Sequence, residues 1–149
     1  MKNSNPSLSA YMNYVSEEGI DLHRFVEHGG RLLGPHDSEG ISANLADLHE
    51  KISDVRERHP LLARQLTFLA SVFEIDPALV PETVRTETVF GLLYALKEMD
   101  LMPDDMPEVG YLDDAAVTEV VLSRHAVFFE RYCEKHGLEW AALKPEIRD

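Results

Sequence analysis

The chain has 149 residues, 44% of them hydrophobic and 28% charged, which is typical of a folded globular domain and unlike a disordered chain. Fourteen Lys and Arg stand against 27 Asp and Glu, so the formal charge is 14 − 27 = −13, which argues against nucleic acid as a partner because phosphates are repelled. The single cysteine, Cys133, excludes an intramolecular disulfide and a zinc site built from cysteines.

Helical spacing dominates the first half of the chain. Apolar residues from Leu8 to Val26 fall on one face and predict a first helix, with Gly19 on the same stripe. We interpret Gly19 as a close helix crossing, with a local break as the alternative. Four glycines and a proline in residues 29–40 predict a loop. An apolar seam at spacings of three and four predicts an amphipathic helix over 41–55, ending near His59.

The second half is also predicted to be helical. Pro60 opens a helix that continues to about Phe73, and Asp76 with Pro77 indicates a short capped turn. A further helix runs from Pro81 to about residue 99, and a long central helix runs from residue 112 to about 135. Gly137 ends that helix, and residues 138–143 form a last short helix. We therefore predict one all-α domain over residues 1–149, a compact bundle of five or six helices.

The segment DLMPDDMPEVGYLDD, residues 100–114, contains six carboxylates, two prolines and one glycine. Asp113 and Asp114 stand where the first amides of the long helix lack partners, so one of them is predicted to be the N-cap. Proline fixes the backbone φ, and glycine permits a chain reversal, so we expect a stiff connector. The residues that produce this stiffness are Pro103, Pro107 and Gly110.

The longer run LYALKEMDLMPDDMPEVGYLDD, residues 93–114, resembles the motif of the YkvA-like family, a bacterial domain of unknown function. That motif reads approximately aromatic, D-L-I-P-D, two residues, P, two residues, G, two residues, D-D. The matching positions are Tyr94, Asp100, Leu101, Pro103, Asp104, Pro107, Gly110, Asp113 and Asp114. The sequence departs from it at Met102, where isoleucine is common. The resemblance covers about residues 80–135 and implies a small helical domain without an assigned catalytic residue.

A divalent-cation site is the alternative interpretation of the acidic segment, because Ca²⁺ and Mg²⁺ prefer oxygen ligands. The candidate ligands are Asp100, Asp104, Asp113 and Asp114. Their spacing is not that of an EF-hand, which needs a glycine and a glutamate at fixed positions. The seven histidines are scattered and form no H-E-x-x-H pattern, and no nucleophile has a clear base beside it. The sequence therefore gives no catalytic residue and favours a protein that is not an enzyme and needs no cofactor.

Two function classes follow from these observations. The first is a non-enzymatic interaction or regulatory module whose acidic segment, including the surface acids Asp105 and Glu108, contacts a protein partner of basic character. The second is a cation-binding protein or metal-dependent enzyme. The chain start lacks a signal-peptide core and no apolar run reaches the roughly 20 residues that span a bilayer, so we expect a cytoplasmic protein. Peripheral membrane contact, suggested by the resemblance alone, and a homodimer through the 41–55 seam stay open.

Overall fold

The structure is a computed structural model that describes residues 8–33, 35–96, 111–143 and 145. These residues form an all-helical bundle without strands, which confirms the predicted fold class. The described part contains eight α-helices, so the prediction of five or six was wrong. The helices are α1 (Leu8–Glu17), α2 (Leu22–Arg31), α3 (Pro35–Ala43), α4 (Leu45–Arg56), α5 (Pro60–Phe73), α6 (Glu82–Leu96), α7 (Leu112–Arg124) and α8 (Ala126–His136), with 3₁₀ turns at Pro77–Leu79 and Trp140–Ala142.

The first predicted helix is two helices, because the chain breaks at Gly19. Gly19 has φ +87°, a conformation that glycine adopts without the steric penalty of a Cβ atom. A Cβ atom built on Gly19 would meet nothing within 4 Å, so this glycine does not mark a close helix crossing. Asp21 then caps α2, its carboxylate accepting a hydrogen bond from the Arg24 amide at 3.2 Å.

The loop predicted over residues 29–40 is largely helical. Gly29 and Gly30 are buried in the last turns of α2, and α3 begins at residue 35. A Cβ atom on Gly29 would overlap the Phe90 ring of α6, and one on Gly30 would come within 2.8 Å of Cγ of Glu87. These glycines therefore allow α2 to approach α6 closely, a requirement of tertiary packing that the local sequence does not reveal.

The seam predicted over residues 41–55 is divided between α3 and α4, which meet at Asn44. The Asn44 side-chain amide donates a hydrogen bond to the Gly40 carbonyl at 2.7 Å. Four seam residues are buried in the core, and a fifth packs against it. The seam residues are Ile41, Leu45, Leu48, Ile52 and Val55. The seam is thus used inside the chain, which leaves little of it for the homodimer contact considered above.

Several predicted boundaries are confirmed where they depend on local chemistry. Pro60 opens α5, which ends at Phe73, and Asp76 accepts a hydrogen bond from the Ala78 amide at the start of the 3₁₀ turn. Gly137 has φ +69° and ends α8 in the left-handed conformation. The last short helix is a 3₁₀ turn rather than an α-helix.

The long helix predicted from residue 112 is interrupted at His125, whose φ of −123° and ψ of 33° are not helical. Its first part, α7, is buried on all sides from Leu112 to Leu122, and it contacts α1, α2, α5 and α6. This agrees with the central position predicted for it, whereas α8 buries only Phe129 and Cys133. Within the residues described, no helix has the length and apolar character needed to cross a bilayer.

Candidate functional site

Helices α6 and α7 pack against each other, with the end of α6 beside the start of α7. Tyr94, in the last turn of α6, donates a hydrogen bond from its hydroxyl to Oδ2 of Asp113 at 3.0 Å, and both side chains are buried. Burial and the Asp113 carboxylate both raise the pKa of Tyr94 far above its usual value. The phenol therefore stays protonated and donates to the carboxylate at any physiological pH.

The neighbouring carboxylate, Asp114, forms an ion pair with a residue from a different part of the chain. Nζ of Lys51 on α4 lies 2.8 Å from Oδ2 of Asp114, whose side chain is 2% exposed. The same ammonium lies 5.5 Å from the ring centroid of Tyr111, within cation–π distance. The His59 ring meets the Tyr111 ring edge to face, with 6.3 Å between the centroids. Lys51, which the sequence analysis missed, thus ties α4 to the start of α7.

The prediction that Asp113 or Asp114 is the N-cap was wrong. Helix α7 begins at Leu112, and Tyr111 holds the N-cap position. The two aspartates instead lie in the first turn, where a negative charge still complements the positive end of the helix. Other helices enclose this turn, and they bring Tyr94 to Asp113 and Lys51 to Asp114.

The remaining predicted site residues lie outside the described residues, which stop at Leu96 and resume at Tyr111. These residues are Asp100, Pro103, Asp104, Asp105, Pro107, Glu108 and Gly110, together with the motif positions Leu101 and Met102. The structure therefore brings together Tyr94, Asp113 and Asp114 from the predicted set. The stiff connector and the four-aspartate cation site stay predictions.

The described part of the chain contains no group of three or more His, Cys, Asp or Glu side chains placed to hold a metal ion. Two of the four proposed ligands, Asp113 and Asp114, contact a phenol hydroxyl and an ammonium group. A divalent ion on Oδ2 of Asp114 would compete with Lys51, which lies 2.8 Å from that oxygen.

A second polar cluster, also missed by the sequence analysis, lies near the opposite ends of α6 and α7. Arg124 donates two hydrogen bonds to Glu87, from Nε to Oε1 at 2.7 Å and from a terminal nitrogen to Oε2 at 3.0 Å. Nε2 of His125 lies 2.8 Å from the same Oε1, and the Glu87 side chain is only 3% exposed. Burial alone would raise the pKa of Glu87, but His125 and Arg124 outweigh burial and lower it to about 2.

A third polar contact joins α5, α7 and the C-terminal turn. The Gln65 amide nitrogen donates hydrogen bonds to Oε2 of Glu119 at 3.1 Å and to the Leu143 carbonyl at 3.2 Å. Gln65 and Glu119 are both buried. Since α5 and α7 are distant in sequence, only tertiary structure reveals this contact. It holds the chain after α8 against the bundle.

Comparison with known families gives one match, over residues 84–119, to the family described as a protein of unknown function (DUF1232). The matched residues include Glu87, Tyr94 and Glu119 and the two aspartates that follow Leu112. This match supports an uncharacterised domain family across most of α6 and the larger part of α7. The searches of curated proteins and of solved structures found no significant match.

Proposed function

We propose that this protein is a YkvA-like helical domain that acts as a non-enzymatic interaction or regulatory module. In this proposal the acidic segment, defined as residues 97–110, contacts a basic surface of a protein partner. The observation that carries the proposal is the Tyr94–Asp113 hydrogen bond, which ties together the two helices between which the segment lies. Buried hydrogen bonds at the two helix ends would hold the interaction surface in one position on the bundle.

The polar contacts beside the acidic segment favour a structural role for these residues over a catalytic one. Asp113 accepts a hydrogen bond from a phenol that stays protonated, and Asp114 is paired with Lys51. A carboxylate held in this way is a poor general base, because a substrate proton would have to compete with the partner that the carboxylate already holds. The most direct role for these groups is to fix the ends of α6 and α7.

Charge indicates the chemistry of the partner. The acidic segment has one basic residue, Lys97, and five acidic residues, so its formal charge is 1 − 5 = −4 within a chain of −13. The acidic residues are Glu98, Asp100, Asp104, Asp105 and Glu108. A negative surface of this kind attracts a cationic protein partner, accelerates encounter with it and repels nucleic acid. Binding should weaken as salt screens these charges.

Charge reversal within the full-length chain tests the module. The variant Asp105→Lys/Glu108→Lys should lose a partner that the wild type captures in a pull-down, and capture by the wild type should fall with added salt. A matched control, Glu17→Lys/Glu18→Lys, makes the same charge change at exposed positions at the end of α1. A change of His36 is a second control. Equal capture by the acidic-segment variant and the wild type would contradict the proposal.

The cation alternative has its own test, which uses Lys51. An ion that binds only the folded protein must raise the melting temperature, so Mg²⁺, Ca²⁺ or Mn²⁺ at millimolar concentration should stabilise the chain, and EDTA should reverse the effect. If the ion uses Asp114, Lys51→Met should increase the shift, because this change removes the competing ammonium. No shift in either protein would eliminate the cation alternative.

A further inference from the structure

A furrow runs along one exposed face of α5. Its larger hollow has a volume of about 640 Å³ and lies between α5, the end of α4 and the chain from α8 to Leu143. A second hollow of about 420 Å³ lies between α4 and α5. The two share Arg56, Thr67 and Ser71 in their linings, so they adjoin.

The shape of the furrow is elongated. The α5 residues that line it, from Ala63 to the residue after the helix, Glu74, extend over roughly 16 Å of helical rise. Its floor consists of small side chains, with Phe68 and Ile52 reaching it from the core. An elongated furrow of this length suits a linear hydrocarbon chain better than a compact ring system, and its volume lies in the range of small-molecule sites.

The wall formed by the C-terminal turn is held in place. Gln65 donates to the Leu143 carbonyl at 3.2 Å, and Nε of Arg64 donates to the Ala142 carbonyl at 3.3 Å. On the α8 side, Tyr132 and His136 stack with 4.2 Å between their ring centroids. The furrow therefore exists before any ligand arrives, which lowers the entropic cost of binding.

The charged residues that line the furrow indicate the head group of the ligand. Arg56 and Arg64 are exposed and line the furrow, and among the described residues neither forms an ion pair with a carboxylate. Because Arg64 uses Nε for the Ala142 carbonyl, its two terminal nitrogens remain available for a bidentate contact with a carboxylate. Two exposed acids, Glu74 and Glu139, also line the furrow and would repel a second negative charge on the ligand.

We infer that this furrow binds a linear monocarboxylate with an apolar chain, such as a medium-chain fatty acid, with its head group on Arg56 and Arg64. The hydrocarbon chain lies along the small residues of α5, and the two guanidinium groups contact the carboxylate. None of the residues that line the furrow belongs to the acidic segment, so the inference does not depend on the proposed interaction with a basic partner.

Calorimetric titration of the full chain with hexanoate, octanoate, decanoate and dodecanoate, all below their micelle concentrations, tests this site. We expect saturable 1:1 binding, with affinity rising about twofold to fourfold per added methylene and levelling off once the chain exceeds the furrow. Trp140, the only tryptophan, lies in the sequence between Glu139 and Ala142, which line the furrow, so its fluorescence should change with the same midpoint. No saturable binding by calorimetry would overturn the inference.

Variants separate the head-group contact from the apolar contact. Arg56→Gln/Arg64→Gln should weaken decanoate binding about tenfold or more and decanol binding much less, because decanol loses only the support that the Arg64–Ala142 contact gives to the wall. Thr67→Trp should fill the furrow and abolish binding of both ligands. Arg24→Gln, an exposed change on α2, should bind decanoate as the wild type does. All four positions are exposed, so melting temperatures should stay close to that of the wild type.

Three further outcomes would overturn the inference. The first is equal binding of decyltrimethylammonium, which carries the opposite charge. The second is unchanged decanoate affinity in Arg56→Gln/Arg64→Gln. The third is occupancy by an acidic peptide without binding of any alkyl carboxylate, which would make the furrow a protein-docking surface. The acidic-segment variant Asp105→Lys/Glu108→Lys should retain wild-type decanoate affinity, so failure of the furrow and failure of the interaction module are distinguishable.

Discussion

Each end of the α6–α7 pair contains a buried carboxylate, and the groups that stabilise that carboxylate differ between the two ends. At one end the buried Asp113 accepts a hydrogen bond from the neutral phenol of Tyr94. At the other end the buried Glu87 is surrounded by the Arg124 guanidinium and the His125 imidazole. Burial of a carboxylate is costly unless hydrogen bonds and opposite charge compensate for it, and the guanidinium that binds Glu87 is charged whereas the phenol that binds Asp113 is neutral. We therefore expect the Glu87 end to contribute more to stability.

Glu87→Ala should have the largest effect of the changes considered. It removes one partner of a buried ion pair and leaves Arg124 only partly exposed and without its carboxylate, so the free energy of unfolding should fall by about 3 to 5 kcal/mol. Chemical denaturation measures this loss. Glu82→Ala, an exposed change on the same helix, is the control and should have little effect. A loss below about 1 kcal/mol for Glu87→Ala would show that the two ends are equivalent.

Acid titration should show the same difference between the ends. Because the pKa of Glu87 in the folded protein is about 2 and its usual value is 4.5, the ionised group stabilises the protein above pH 4.5. This contribution is lost as pH falls from 4.5 to about 2, and it amounts to about 3 kcal/mol. The wild type should therefore lose more stability than Glu87→Gln over this interval. Parallel pH profiles for the two proteins would contradict the assigned role of Glu87.

The close approach of α2 to the Glu87 end gives a third prediction. Gly29→Ala should destabilise the protein by about 1 to 3 kcal/mol, because the added methyl group overlaps the Phe90 ring and outweighs the better helix propensity of alanine. Gly40→Ala in α3 is the matched control. Its methyl group would lie 3.8 Å from Cδ2 of Leu93, so propensity should raise the melting temperature slightly. Equal shifts in both variants would mean that α2 is not closely packed on α6.

Tyr94→Phe should have the smallest effect of the four. It removes the hydroxyl and leaves the ring, so the loss should be about 1 to 2 kcal/mol, the cost of losing one hydrogen bond to a buried carboxylate. Urea denaturation provides the measurement, with Tyr14→Phe at an exposed position as the control. An effect larger than that of Glu87→Ala would reverse the ranking of the two ends.

The comparison also explains what the sequence could predict. Proline and glycine act within one turn of chain, so Pro60, Pro77 and Gly137 gave correct boundaries. Gly29 was assigned to a loop because its role depends on Phe90, which is far away in sequence. The break at His125 likewise coincides with a contact to Glu87 on another helix. Local patterns determine where helices start and stop, and distant contacts decide which of them stay continuous.

The candidate site was predicted in the same uneven way. The resemblance identified Tyr94, Asp113 and Asp114 because they stand close together in one motif. Lys51 was missed because a lysine on the polar face of an amphipathic helix resembles any solvated charge, and Glu87 was missed for a different reason. A buried acid cannot be recognised from helical periodicity when the helix, like α6, is enclosed on several sides.

The burial of α7 on every side from Leu112 to Leu122 limits how the matched stretch can be studied. A peptide of residues 84–119 would expose to water the faces that α1, α2 and α5 cover here, together with Asp114 without Lys51 and Glu119 without Gln65. Such an excised fragment should aggregate or remain unstructured. Any host chain that carries this stretch must therefore supply its own enclosing helices, and truncation down to the shared segment is a poor route to its biochemistry.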